Sequence, residues 1–361
     1  MTQKSKIRAR AAALAAGFEA AGAVPVETPV LLPAEALLDL YGEDIRGRAY
    51  VTSDALRGEQ MLRPDFTVPV VQMHMAHGAE PARYTYAGEV FRRQEDDAAR
   101  ANEYMQVGYE VFDRENPAAS DAEVFAVIER ALKGVELRAA TGDMGILAAA
   151  VAGLDTTEAR KAALARHIWR PRKFKALLDR FAGRSEMPAR RAALLAQEDP
   201  MTHGFPDIGL RSQAEVAARV AALSEDSEAA PISPLQVELI EALLNIRETL
   251  PNALEQVRDL AVDLPAITEA AFRLRDRIDA LAARGVDVEN LEFEASYGRT
   301  SMEYYDGFVF GFYVPGRADL PPVATGGRYD ALTQVLGQGR EIPAVGGVIR
   351  PGILVDLEEA A

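Results

Sequence analysis

Two stretches decide how this chain is read: Arg83-Tyr84-Thr85-Tyr86-Ala87-Gly88-Glu89-Val90-Phe91-Arg92 and Tyr104-Met105-Gln106-Val107-Gly108-Tyr109-Glu110-Val111-Phe112. Both are rich in Tyr and Val and alternate in character, as half-buried strands do. The charged, apolar-poor interval Glu95–Asn102 between them marks the tip of an antiparallel pair. Side chains on a strand alternate between faces, so Gln106 and Glu110 share one face while Val107 and Val111 take the other. Gln106 offers a donor and an acceptor, and Glu110 offers acceptors for a cationic ring or an amine. If that face is buried, both groups must be paired or used for binding. If it is solvated, the pair carries no meaning.

Working outward, residues 4–22 place Ile7, Ala11, Leu14, Phe18 and Gly22 on one helical stripe, ended by Pro25 and Pro29. Strands are expected around Ala49–Thr52 and Gln60–Arg63, then a helix over Thr67–Ala76. Ser120-Asp121-Ala122-Glu123 has the capping-box pattern and is expected to open a helix running to about Lys133, with a strand over Val135–Ala139 behind it. From about Leu154 to Arg284 the texture becomes Ala-, Leu-, Arg- and Glu-rich, and prolines break it into helices. Strands return over Val286–Ala295, Gly307–Val314 and Val323–Thr325, with helices over Arg328–Leu336 and Gly352–Glu359. The expected architecture is α+β: an antiparallel core made of residues 1–140 and 286–361, with a mainly helical insert over 141–285.

Composition narrows the function. With 48% apolar residues a sizeable core is expected, and with no cysteine there is no disulfide, thiolate catalysis or Cys-ligated zinc. The net charge of −15 weighs against a nucleic-acid partner, which needs a basic footprint. The start of the chain has no signal-peptide pattern and no apolar run is long enough for a membrane span, so the cytoplasm is the expected location. His74, His77, His167 and His203 have no metal-ligand company in the sequence, so no metal or cofactor is expected.

Other segments add candidate groups. Leu62-Arg63-Pro64-Asp65-Phe66-Thr67 puts a carboxylate on a rigid turn, suited either to a ligand ammonium or to an internal pair with Arg63. Arg92 ends its strand with a fork of donors suited to carboxylate or phosphate, while Arg93 and Asp96–Asp97 read as solvated charge. Tyr304-Tyr305-Asp306-Gly307 fits either a polar-aromatic pocket or core packing with its hydroxyls at the rim. Gly326-Gly327 before Arg328-Tyr329-Asp330 fits a close backbone approach at a helix start. The one dense basic run, Arg166–Lys175, holds the only tryptophan, Trp169. It fits a contact with an acidic partner or a charged helix end packed by an aromatic.

In this order the segments resemble the class II aminoacyl-tRNA synthetase core, and its histidyl branch in particular. Pro29 resembles the first class II motif, Arg83–Phe112 the second, Tyr304–Phe310 a histidine-specific signature, and Gly326–Leu336 the glycine-rich segment after it. The resemblance implies a histidine-like ligand pocket of Asp65, Thr67, Arg92, Gln106, Glu110, Tyr304 and Tyr305, and a dimer built on the first motif. In the resemblance Asp65 meets the ligand ammonium with Thr67 beside it, Gln106 serves the carboxylate or ammonium side, and Glu110 with the two tyrosines serves the imidazole. The departures are as informative. The synthetases have an acidic residue where Gln94 stands, a catalytic arginine where Thr300 stands, with Arg299 one residue early, and a third-motif arginine where Ile353 stands. They also continue into an anticodon-binding domain, whereas this chain ends at Ala361. That pattern is similar to the ATP phosphoribosyltransferase regulatory subunits of histidine biosynthesis, as is Arg63-Pro64-Asp65-Phe66-Thr67. The implied role is non-catalytic: a partner of the short-form catalytic ATP phosphoribosyltransferase, required for its activity and implicated in feedback inhibition by histidine. The rival reading is an active histidyl-tRNA synthetase-like enzyme that activates an amino acid.

Overall fold

The computed structural model describes residues 2–34, 37, 47–94, 100–201, 209–299 and 304–360. The strands are β1 (Val24–Pro25), β2 (Leu31–Pro33), β3 (Val51–Asp54), β4 (Gly58–Leu62), β5 (Ala82–Phe91), β6 (Glu103–Phe112), β7 (Arg138–Asp143), β8 (Arg247–Thr249), β9 (Glu292–Glu294), β10 (Phe308–Tyr313), β11 (Ala324–Arg328) and β12 (Ala344–Ile349). The helices are α1 (Gln3–Ala20), α2 (Thr67–His77), α3 (Pro117–Ala131), α4 (Met144–Ala152), α5 (Glu158–Arg166), α6 (Pro171–Phe181), α7 (Ala189–Leu195), α8 (Gln213–Glu228), α9 (Pro234–Leu244), α10 (Leu250–Asp263), α11 (Thr268–Ala283), α12 (Asp330–Leu336) and α13 (Pro351–Ala360).

A nine-stranded sheet runs β1-β5-β6-β12-β11-β10-β7-β9-β8, and a small sheet runs β2-β4-β3. Its centre is antiparallel, with parallel pairs only at β1–β5 and β7–β9. The decisive hairpin forms as the alternation predicts: β5 and β6 pair from Ala82↔Phe112 to Phe91↔Glu103. Residues 95–99 of its tip lie outside the described residues.

The back face of the sheet is covered by α1 and α3. Ala11, Leu14 and Phe18 are the buried stripe of α1, and the Phe18 ring meets Tyr109 of β6 at 5.5 Å. Phe125 of α3 packs on Phe308, Phe310 and Phe312 of β10. Such apolar burial, at roughly 25 cal/mol per Å² of surface removed from water, is the main stabilising term.

Three sequence expectations shift. The helix expected to open at Ser120 begins at Pro117, with the Asn116 side chain capping the Ala119 N–H. Asparagine at the cap and proline in the first turn are the stronger signal. Asp121 is then free for the buried ion pairs described below, and Glu123 pairs with Arg83 and Arg284. The strand expected at Val135–Ala139 forms three to four residues later, at Arg138–Asp143. Gly326 and Gly327 lie within β11 instead of at a helix entry, and α12 starts only at Asp330.

Between β7 and β9 the chain is helical, α4 to α11, except for β8, which returns to the sheet and pairs with β9. A buried charge network fastens this segment to the core. Arg277 of α11 donates to Asp121 of α3 at 2.8 Å and lies 2.8 Å from Asp143 at the end of β7. Arg328 meets the other Asp121 oxygen through Nε and Nη2, at 3.0 and 2.7 Å. All four side chains are under one-tenth exposed, so each charge depends on the others for compensation.

Candidate functional site

The front face of the sheet holds the polar cluster. Glu110 lies near the end of β6, opposite Tyr84 on β5 and Gly346 on β12, and is almost fully buried. A β-carbon at Gly346 would stand 1.4 Å from Glu110 Oε2, so only glycine leaves room for this carboxylate. Gly108 has the same role beside it: a β-carbon there would strike the Tyr86 ring at 2.1 Å.

Glu110 accepts from three hydroxyls. Thr67 Oγ1 at 3.1 Å and Tyr86 OH at 2.8 Å reach Oε1, and Tyr329 OH at 2.5 Å reaches Oε2. Burial pushes the Glu110 carboxyl up to about 7, against the pull of those donors. Burial likewise pushes the Tyr86 and Tyr329 phenols well above their ordinary value. The Tyr86 ring is stacked on Phe66 with centroids 4.3 Å apart, which fixes the hydroxyl.

Asp65 follows the Pro64 turn and is 3% exposed. Tyr304 OH donates to its Oδ2 at 3.4 Å, and the Arg92 guanidinium stands 3.8 Å from the same oxygen. Arg92 is held by its Nε bond to Pro64 O at 2.7 Å. The internal Arg63–Asp65 pair does not form. Arg63 turns away, donating to Glu89 O and Thr28 O at 2.9 and 2.7 Å, with its guanidinium 4.0 Å from the Phe66 ring centre.

Gln106 is 1% exposed, and its Oε1 has no hydrogen-bond partner. A buried, unused acceptor costs about 1–3 kcal/mol, which favours a role for it over a purely structural one. The face of β6 that carries Gln106 and Glu110 is therefore buried, and the condition for their significance is met.

Six of the seven candidate residues thus fall into linked groups, and Gln106 shares only the Glu110 face of β6. Asp65, Arg92 and Tyr304 meet one another, Thr67 and Glu110 meet, and Tyr305 packs on Tyr304 with ring centres 4.9 Å apart. Sequence reasoning missed the roles of Tyr86 and Tyr329, which hold Glu110. Tyr86 lies opposite Gly108, two residues from Glu110, so the register of the β5–β6 hairpin would have placed it on the same face. No comparable signal pointed to Tyr329, which lies just beyond β11.

The remaining candidates resolve differently. Thr300, the expected place of a catalytic arginine, lies outside the described residues. Arg299, one earlier, is buried: it donates to Ile168 O at 2.8 Å, and its guanidinium lies 4.8 Å from the Phe174 ring centre. Both partners belong to the basic run Arg166–Lys175, so the inner side of that run fastens the helical segment to the core. On its outer side Lys175 pairs with Asp179 and Glu241. Ile353 packs against the core from α13.

His74 is stacked on Phe112 at 4.0 Å with Nδ1 3.1 Å from Tyr84 OH, and burial lowers its pKa. His203 and the His77 side chain lie outside the described residues. No group of three or more His, Cys, Asp or Glu among the described residues is arranged to hold a metal. No helix among them is long and apolar enough to cross a membrane. Two surface concavities of about 520 and 470 Å³ lie away from the cluster, at the starts of α5 and α9 and behind α3.

A mostly antiparallel sheet with helices behind it and a buried polar cluster in front defines a class II synthetase-like protein. Comparison agrees: the histidyl-tRNA synthetase family model matches residues 2–351. Among solved structures, a Bacillus halodurans chain titled ATP phosphoribosyltransferase regulatory subunit/histidyl-tRNA synthetase superposes with a TM-score of 0.68 at 20% identity, covering 98% of this chain and 79% of that one. A histidyl-tRNA synthetase from Nostoc superposes with a TM-score of 0.66 at 19% identity, covering 99% and 73%. Among curated proteins, the ATP phosphoribosyltransferase regulatory subunits of Brucella anthropi and Agrobacterium fabrum are 32% and 33% identical to this chain, each over 89% of both chains. The chain belongs to this histidyl-tRNA synthetase-like family of ATP phosphoribosyltransferase regulatory subunits.

Proposed function

We propose that this chain acts as the non-catalytic regulatory subunit of ATP phosphoribosyltransferase in histidine biosynthesis, and that its front-face pocket binds histidine as the feedback signal. One observation carries the ligand part: a buried set of complementary groups around an unused acceptor. Asp65 and Gln106 Oε1 suit an ammonium, and Glu110 suits an imidazole. A carboxyl held near 7 by burial can either donate to or accept from an imidazole near neutral pH.

The groups suited to activating the ligand are replaced. Ile353 is apolar and packed, and Gln94 is an amide whose side chain makes long bonds of 3.4 Å to Arg92 O and Ala101 O. A site that must stabilise a transferring adenylyl group depends on fixed cations, and an isoleucine supplies none. The partner is the short-form catalytic transferase, and self-association as a dimer accompanies it. We read the helical segment over 141–285 as a subdomain of its own, inserted in a discontinuous core of 1–140 and 286–361.

For histidine to regulate, it must bind two states of the complex unequally. The test is histidine-dependent ATP–pyrophosphate exchange by the pure chain, alongside calorimetric titration with histidine. Binding without exchange is expected. Exchange at a synthetase-like rate would establish the enzyme reading instead.

A further inference from the structure

Building on the amino-acid reading of the pocket, we propose that Arg350 anchors the ligand's carboxylate, so that the site selects a free amino acid over a derivative lacking that charge. Arg350 follows Ile349 directly. Ile349 pairs with Val107, and Gly346 pairs with Glu110. The alternation therefore sets Arg350 in the same front-face row as Glu110 and Gln106, at the Gln106 end.

Of Arg63, Arg92, Arg299 and Arg350 among the described residues, the first three have their partners. Arg63 is saturated by backbone carbonyls and the Phe66 ring. Arg299 is covered by Phe174 and bound to Ile168 O. Arg92 is bound to Pro64 O and faces Asp65. The Arg350 side chain makes one hydrogen bond, from Nη1 to Pro322 O at 2.6 Å, and meets no carboxylate among the described residues. The groups that act on it electrostatically are Arg92 and the phenols of Tyr104, Tyr305 and Tyr313. Burial, reinforced by Arg92, disfavours its charge.

A guanidinium has five donors in a planar fork that matches a carboxylate, so most of this fork remains for a ligand. A carboxylate between Arg350 and Arg92 would relieve their mutual repulsion. Gln106 Oε1, beside Arg350 in the register, has no partner, and Asp65 stands 3.8 Å from Arg92, so acceptors for an ammonium lie next to the carboxylate position. The adjacent charges of an amino acid's head group thus have adjacent partners, with Glu110 further along the row for the side chain.

The test is calorimetric titration of the full chain with L-histidine and with L-histidinol, which lacks the carboxylate. The variants are Arg350→Ala and Arg350→Gln; the second keeps a donor for Pro322 O if the first does not fold. A charge-assisted contact predicts that wild type prefers histidine by roughly 10- to 100-fold. Either variant is expected to lose that preference while binding histidinol as wild type does. A variant that folds and keeps the full preference overturns the role of Arg350 and leaves the pocket reading standing. Wild type that binds neither compound overturns both.

Discussion

The two faces of the central sheet handle buried polarity in opposite ways. On the back, Asp121, Asp143, Arg277 and Arg328 form a closed network in which every charge meets an opposite charge within 3.0 Å. On the front, Asp65 has a phenol at 3.4 Å and a guanidinium at 3.8 Å, Gln106 has an unused acceptor, and Arg350 has a single bond. The closed network holds the helical segment and the two halves of the core together. The front cluster is the one we propose takes a ligand. Buried polar groups therefore do not by themselves mark a site; the back pairs charge with charge at close range, whereas the front leaves Gln106 Oε1 unpaired and Arg350 without a carboxylate among the described residues.

That contrast can be broken by mutation. Asp121→Ala leaves Arg277 with Asp143 alone and Arg328 with Asp330 alone, and urea unfolding is expected to show a loss of about 3 kcal/mol. A loss under 1 kcal/mol would mean that the network is incidental. The front face responds to pH instead. Glu110 is raised from 4.5 in the unfolded chain to about 7, so the folded state holds its proton longer. Its stabilising effect is complete below 4.5 and disappears as pH rises through about 7, a difference of about 3 kcal/mol. Asp306, raised by burial to about 7, acts in the same direction. Unfolding measured from pH 4.5 to 7.5 should show stability falling, and Glu110→Gln should flatten part of that slope.

Gly346→Ala forces a methyl against Glu110 and is expected to cost about 1–3 kcal/mol and to abolish histidine binding. Wild-type affinity in this variant would show that Glu110 does not need its present position. The smallest stability effect is expected at Gln106→Leu. Removing an unsatisfied acceptor should leave the unfolding midpoint unchanged or raise stability by up to about 1 kcal/mol, while histidine binding is lost. A clear destabilisation would place Gln106 with the structural groups.

The hairpin of β5 and β6, and the shared face of Gln106 and Glu110, were legible because a two-residue period survives in one short stretch of sequence. What closes the site was less legible. Tyr86 depends on strand register, and Tyr329 reaches Glu110 from 219 residues away in sequence. The pattern at Ser120–Glu123 misled because local capping chemistry and long-range ion pairing use the same residue types; Asn116 and Pro117 supply the cap, and Asp121 answers arginines from two distant elements. Gly326 and Gly327 read as a helix entry, yet they lie mid-strand, where the Phe310 and Tyr305 rings occupy the space of a side chain. The basic run was ambiguous for a similar reason: its inner residues serve Arg299, a partner more than a hundred positions away.

The central claim is that this chain recognises a ligand in order to control a partner. The most direct measurement is the activity of a short-form catalytic ATP phosphoribosyltransferase from the same source, titrated with this chain and then with histidine. The account predicts that activity rises to a plateau as the chain is added and falls again as histidine fills the front-face pocket. A transferase whose activity is unchanged by saturating amounts of the chain would contradict it.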